Sequence, residues 1–134
     1  MQQILLIEND KLLQALVTEE LMEEGYMVRF VSDCIEALSM INNTGFQPDL
    51  IILDVRLSQK DYYEVIKCIL KYKIDIPHII HTNYSAWRKR PLNCADAYEI
   101  KSHDLSILKA AIYDLLQKQV HNQDKAYERG MEYA

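Results

Sequence analysis

At 134 residues, with 49% apolar and 26% charged side chains, the chain holds material for one substantial core and too little for two. Fifteen basic against twenty acidic side chains give a formal net charge of -5, which argues against nonspecific attraction to nucleic acid or to an anionic membrane. No apolar run approaches the roughly 18 residues that a membrane span needs, and the opening MQQILLIEND lacks the basic region of a signal peptide.

Ile4 to Ile7 is a continuous apolar run that stops at Glu8-Asn9-Asp10, the pattern of a central strand covered on both faces. From Lys11 to Glu24 the period becomes helical, with Leu13, Leu16, Val17 and Leu21 on the inward face. Asp10 is placed to cap its start, and Gly25 sits where a left-handed C-terminal cap belongs. Tyr26 to Val31 reads as a second strand. Ser32 or Asp33 caps the next helix, which packs through Ala37, Leu38 and Ile41. Glu36 lies three residues beyond Asp33, and Asn42-Asn43-Thr44-Gly45 stops the helix.

A third strand, Leu50 to Leu53, leads into Asp54, and a third helix is expected from about Tyr62 to Lys71. Pro77 precedes a fourth strand, His78 to Thr82, and the short extended run Ala97 to Ile100 reaches Lys101. The last helix starts near Ser102 to Asp104 and packs through Leu105, Leu108, Ala111, Ile112, Leu115 and Leu116. Beyond Gln117 apolar groups thin out, so a frayed polar tail over residues 121–134 is expected after a domain over residues 1–120. Five strands alternating with helices predict an α/β fold with a doubly wound parallel sheet.

In such a sheet ligands bind outside the carboxyl ends of the strands. Four of the five runs finish there in a polar group: Glu8-Asn9, Asp54, Thr82 and Lys101. One such ending is an ordinary helix cap or solvated loop, whereas four at one edge point to a site for a metal, a phosphate or a proton. Other polar features are weaker. Arg88-Lys89-Arg90 reads as a solvated loop. Cys34, Cys68 and Cys94 lack paired spacing and read as reduced thiols of a cytosolic protein. His78 and His81 fall on opposite faces of one strand, so they read as structural rather than as a shared metal site.

The segments ILLIEND, DLIILDVRLSQKDYYEV, IIHTN and AYEIKSHDL resemble the receiver domain of two-component response regulators over roughly residues 3 to 120. The resemblance implies a flavodoxin-like strand order 2-1-3-4-5. It makes Asp54 the phosphoryl acceptor, and it assigns Mg²⁺ to Glu8, Asn9, Asp54 and the backbone carbonyl of Arg56. Thr82 becomes the hydroxyl that hydrogen-bonds the phosphoryl group, and Lys101 the cation that contacts it. The Arg56 side chain either pairs near the phosphate or extends into solvent. Tyr98 matches an aromatic position whose rotamer responds to activation, and it reads equally well as packing. The implied partners are a histidine kinase or phosphotransfer protein and an unidentified downstream protein, with dimerisation open.

Several residues depart from the family pattern. Asn9 stands where an aspartate ligand is usual, and it offers an oxygen but no charge, so weaker Mg²⁺ binding is expected. Ser58 and Tyr62 lie where proline and glycine are usual. Ser102 replaces the proline after Lys101, so a trans peptide is expected there. Asn83 occupies a position that is usually small. NYSAWRKRPLNCADAYEI is short for a full fourth helix and is interrupted by Pro91, so that helix should be shortened or irregular and partner recognition unusual.

Three functions follow from these residues. The first is a stand-alone phosphoryl-accepting signalling domain without conventional turnover. The second is a degenerate receiver that acts as a phosphorylation-independent interaction module. The third, a metal-assisted hydrolase, lacks a visible second acid or glycine-rich phosphate loop.

Overall fold

A computed structural model describes residues 1–53, 76–82, 97–101 and 104–128 of the chain. The described elements are β1 (Gln3–Ile7), α1 (Lys11–Glu23), β2 (Met27–Val31), α2 (Cys34–Thr44), β3 (Leu50–Leu53), β4 (His78–Thr82), β5 (Ala97–Ile100) and α3 (Ser106–Glu128). The strands lie parallel in the order β2-β1-β3-β4, and the backbone of β5 pairs with the free side of β4. The expected helix over Tyr62 to Lys71 and the irregular stretch over residues 83–96 fall outside the described residues.

The near-continuous apolar character of the central strands follows from burial on both faces. Leu5, Ile7, Ile51, Leu53 and Ile80 join Cys34, Ala37, Phe46 and Ile76 on the α2 side of the sheet. Ile4, Leu6, Leu50, Ile52 and Ile79 project the other way, toward Val17 and Leu21 of α1 and Leu108, Ile112 and Leu116 of α3. Successive residues of a strand therefore feed two separate cores, and each fully buried Leu or Ile contributes roughly 1.5–3 kcal/mol. Helices on both faces make the sheet doubly wound, as the alternation of runs predicts.

The helix ends follow local chemistry. Asp10 is the N-cap of α1 and accepts hydrogen bonds from the backbone N–H groups of Leu12 and Leu13. Asp33 caps α2 by accepting from Glu36 N–H at 2.8 Å, while the Glu36 carboxylate accepts from Ser32 N–H at 2.9 Å, a reciprocal arrangement one residue longer than the usual capping box. Gly25 and Gly45 follow α1 and α2 with φ of 95° and 69°, in the left-handed region that glycine enters without steric cost.

Two details depart from the sequence expectation. Leu16 is 39% exposed, because the inward stripe of α1 runs through Gln14, Val17 and Leu21 and leaves Leu16 at its margin. The last helix also does not fray after Gln117 but continues to Glu128. Residues 118–128 contain no glycine or proline that would stop the helix. Among the described residues, no helix is long and apolar enough to cross a membrane.

Candidate functional site at the carboxyl edge of the sheet

Strand register brings the polar endings to one edge. Ile7, the last residue of β1, stands beside Val31 of β2 and Leu53 of β3, so Glu8 begins where the neighbouring strands finish. Asp54 is the next residue after Leu53, and it and Arg56 lie outside the described residues. Thr82 ends β4 and is registered with Ile100 of β5, which places Lys101 one step beyond the same line. Ser102, with the peptide expected to be trans, is also outside the described residues.

Glu8 is a charged residue at the end of an apolar strand, yet it is only 1% exposed. Its backbone N–H donates to Val31 O at 3.0 Å, so the chain is still held by the edge of β2 as it leaves the sheet. Burying a carboxylate demands compensation. Lys101 supplies it: its Nζ lies 2.8 Å from Glu8 Oε1, and the lysine side chain is 6% exposed. Glu8 Oε2 is 3.4 Å from the Asp10 backbone N–H, a long contact.

Gln14 completes the cradle. Its side-chain amide donates to the Glu8 backbone carbonyl at 3.1 Å, and the residue is 4% exposed. This residue escaped the sequence reading. The available signal was a polar side chain set among the apolar positions of α1, on a face that otherwise packs against the sheet. Asn9, by contrast, is exposed, so adjacent members of the expected cation pair occupy different environments.

The described portion of the site thus joins Glu8, Gln14 and Lys101 into one buried polar unit, with Thr82 at the neighbouring strand end. His78, the first residue of β4, and His81 within it are both 2% exposed.

Residues 4–97 match the family model described as the response regulator receiver domain. The response regulator TrrA of Thermotoga maritima, solved in complex with Mg(2+)-BeF, is 33% identical with a TM-score of 0.75, over 86% of this chain and 99% of that one. TrrA in complex with the histidine kinase ThkA matches at 33% identity and a TM-score of 0.73, over 87% and 99% of the two chains. The response regulator MprA of Mycobacterium sp. strain KMS is 29% identical over 118 residues, 86% of this chain and 50% of MprA, so the chain spans about half the length of that relative. A family match over most of the chain, the parallel sheet and the convergence of Glu8, Thr82 and Lys101 at its carboxyl edge agree: the chain belongs to the response regulator receiver domain family.

Proposed function

We propose that this domain accepts a phosphoryl group on Asp54 from a histidine kinase or phosphotransfer protein in the cytoplasm and signals through protein–protein contacts. An Asp54 carboxylate oxygen attacks phosphorus, the bond from phosphorus to the donor atom breaks, and that bond's electron pair leaves with the donor. Lys101 stands ready to meet the anionic phosphoryl oxygens, and the Thr82 hydroxyl to donate to one of them. Redistribution of these contacts is how a local charge becomes a loop movement. The full five-stranded order 2-1-3-4-5, with a shortened fourth helix and a domain over residues 1–120, belongs to the same reading.

The observation that carries the proposal is the Glu8–Lys101 pair, two charges buried together at the sheet edge where Asp54 emerges from β3. The donor set also fits a hard cation: the Glu8 carboxylate, the Asn9 side-chain oxygen, the Asp54 carboxylate and the Arg56 backbone carbonyl are all oxygen ligands suited to Mg²⁺. When bound, Mg²⁺ would offset negative charge on the incoming phosphoryl oxygens. TrrA, seen with Mg(2+)-BeF and with ThkA, supports both the cation and the class of partner.

Intact-protein mass after incubation with acetyl phosphate tests the reading. A Mg²⁺-dependent gain of one phosphoryl group in wild type, lost in Asp54→Asn, is the expected result. No gain at saturating donor and Mg²⁺ in folded protein rejects it. One observation favours the second reading, a phosphorylation-independent interaction module: Glu8 already has a cationic partner, and its neighbour Asn9 is neutral and exposed.

A further inference from the structure

We propose that the free edge of β2, with the groove between β2 and α1, takes up an extended segment of a partner protein as an added strand, one in which basic residues flank an apolar one. This surface is separate from the Glu8–Lys101 pair, and the proposal does not depend on phosphorylation of Asp54.

β2 stands at the end of the strand order, so one side of its backbone has no neighbouring strand among the described residues. Hydrogen bonds at its two ends fix which groups face that side. Met27 N–H donates to Gln2 O at 2.9 Å, Val31 O accepts from Glu8 N–H at 3.0 Å, and the parallel register between them is unbroken. In a parallel ladder every second residue of a strand turns both its N–H and its C=O to the same neighbour. Met27, Arg29 and Val31 therefore address β1, and Val28 and Phe30 turn two N–H and two C=O groups outward. Proline or a bulge commonly blunts such an edge, and the sequence MVRFV with its continuous register has neither.

A groove of about 500 Å³ runs beside this edge, lined by Ala15, Thr18, Glu19, Met22 and Glu23 of α1 and by Phe30 of β2. Met22 and Phe30 are 57% and 49% exposed, so two large apolar side chains meet water in the same place. A strand added at about 4.8 Å from β2 would bring alternate side chains along this groove. Main-chain bonds to Val28 and Phe30 then supply affinity, and the groove selects the side chains.

Charge identifies the occupant. Glu19 and Glu23, one turn apart on α1, border the groove, and both are exposed. No basic residue lines it, so Lys or Arg beside the apolar anchor complements it. A second copy of this chain is a poorer match. Antiparallel pairing of two β2 edges keeps like faces together, which sets the Glu19 and Glu23 pairs of both copies on one side of the joined sheet. Pairing centred on Arg29 would also put two guanidinium groups opposite each other, a destabilising arrangement.

A probe peptide that alternates Thr with Lys, Leu and Lys, so that the last three share one face, tests the proposal by fluorescence anisotropy on the whole chain. It should bind saturably, and a copy with Glu in place of Lys should bind about tenfold more weakly. Glu19→Gln combined with Glu23→Gln should weaken the Lys peptide about three- to tenfold, with exposed substitutions that leave the core untouched. A copy with every amide N-methylated should not bind. Amide hydrogen exchange supplies the readout specific to strand addition: the bound peptide should slow exchange at Val28 and Phe30, and leave Arg29, already bonded to β1, nearly unchanged.

Absence of binding by the Lys peptide to folded protein overturns the proposal, as does binding that the N-methylated copy reproduces or that leaves Val28 and Phe30 exchange unchanged. Equal affinity for the Lys and Glu peptides overturns the basic chemistry assigned to the partner. Self-association without peptide that protects Val28 and Phe30 replaces the partner with a second copy. Each of these outcomes leaves the phosphoryl-acceptor reading standing.

Discussion

Gln14 holds the Glu8 carbonyl through a 3.1 Å hydrogen bond from its side-chain amide, and this links the second turn of α1 to the residue at which β1 leaves the sheet. Gln14→Leu should lower unfolding stability by about 1–3 kcal/mol, because a buried acceptor loses its donor while the apolar replacement recovers only part of the packing. Chemical denaturation with an unchanged m-value checks this. Loss of the bond also releases the Glu8 backbone, so Mg²⁺ affinity in the same variant should fall.

Breaking the Glu8–Lys101 pair from one side should be costly and replacing both sides should not. Glu8→Leu leaves the Lys101 ammonium without this buried partner and should cost about 3–5 kcal/mol. The double variant Glu8→Leu with Lys101→Met should recover most of that loss, because both desolvated charges are gone. A double-mutant cycle by urea unfolding measures the coupling, and additive single-variant losses would show that the pair does not act as a unit.

Helix capping gives a smaller, local test. Asp33 accepts from Glu36 N–H, and Asp33→Ala should destabilise by about 1 kcal/mol while Asp33→Asn is nearly silent. Amide hydrogen exchange should show the loss concentrated in the first turn of α2.

Asp104 provides the pH test. Its Oδ1 accepts from Ser106 N–H at 2.9 Å at the start of α3, and this hydrogen bond holds its carboxyl below the ordinary aspartate range. A folded pKa below the unfolded value means that the carboxylate's contribution is fully present above the unfolded pKa of about 3.9 and is lost as pH falls through the lower folded value. The melting temperature of wild type should therefore exceed that of Asp104→Ala at neutral pH, and the gap should close under acid conditions below that range. A gap that persists unchanged in acid would assign the difference to something other than the charged cap.

The parts of this fold that were legible in the sequence are those with local causes. The apolar run Leu50–Leu53 is a strand because alternate side chains enter two cores, and the caps Asp10, Asp33, Gly25 and Gly45 are each decided within a few residues. The strand endings marked Glu8, Thr82 and Lys101 as members of one edge. The pairing of Glu8 with Lys101 was not legible, because nothing in either local sequence says which charge the other will meet. Gln14 was missed because a single polar residue in a helical stripe interrupts the apolar period without stating its partner. Leu16 and the continuation of α3 show the converse: apolar spacing overstates burial at the margin of a stripe, and a helix runs on past Gln117 although apolar residues thin out there.

The first strand made is the middle one of the trio β2-β1-β3, and Glu8 at its tip waits for a lysine that emerges only after β5. A chain that ends before β5 can pair β1 with β2 but lacks this partner for Glu8. The entropic cost of closing that long loop grows with the logarithm of its length, and contacts so distant in the chain go with slower folding. An intact Glu8–Lys101 contact thus reports that the two ends of the strand series have been brought together at one edge of the sheet.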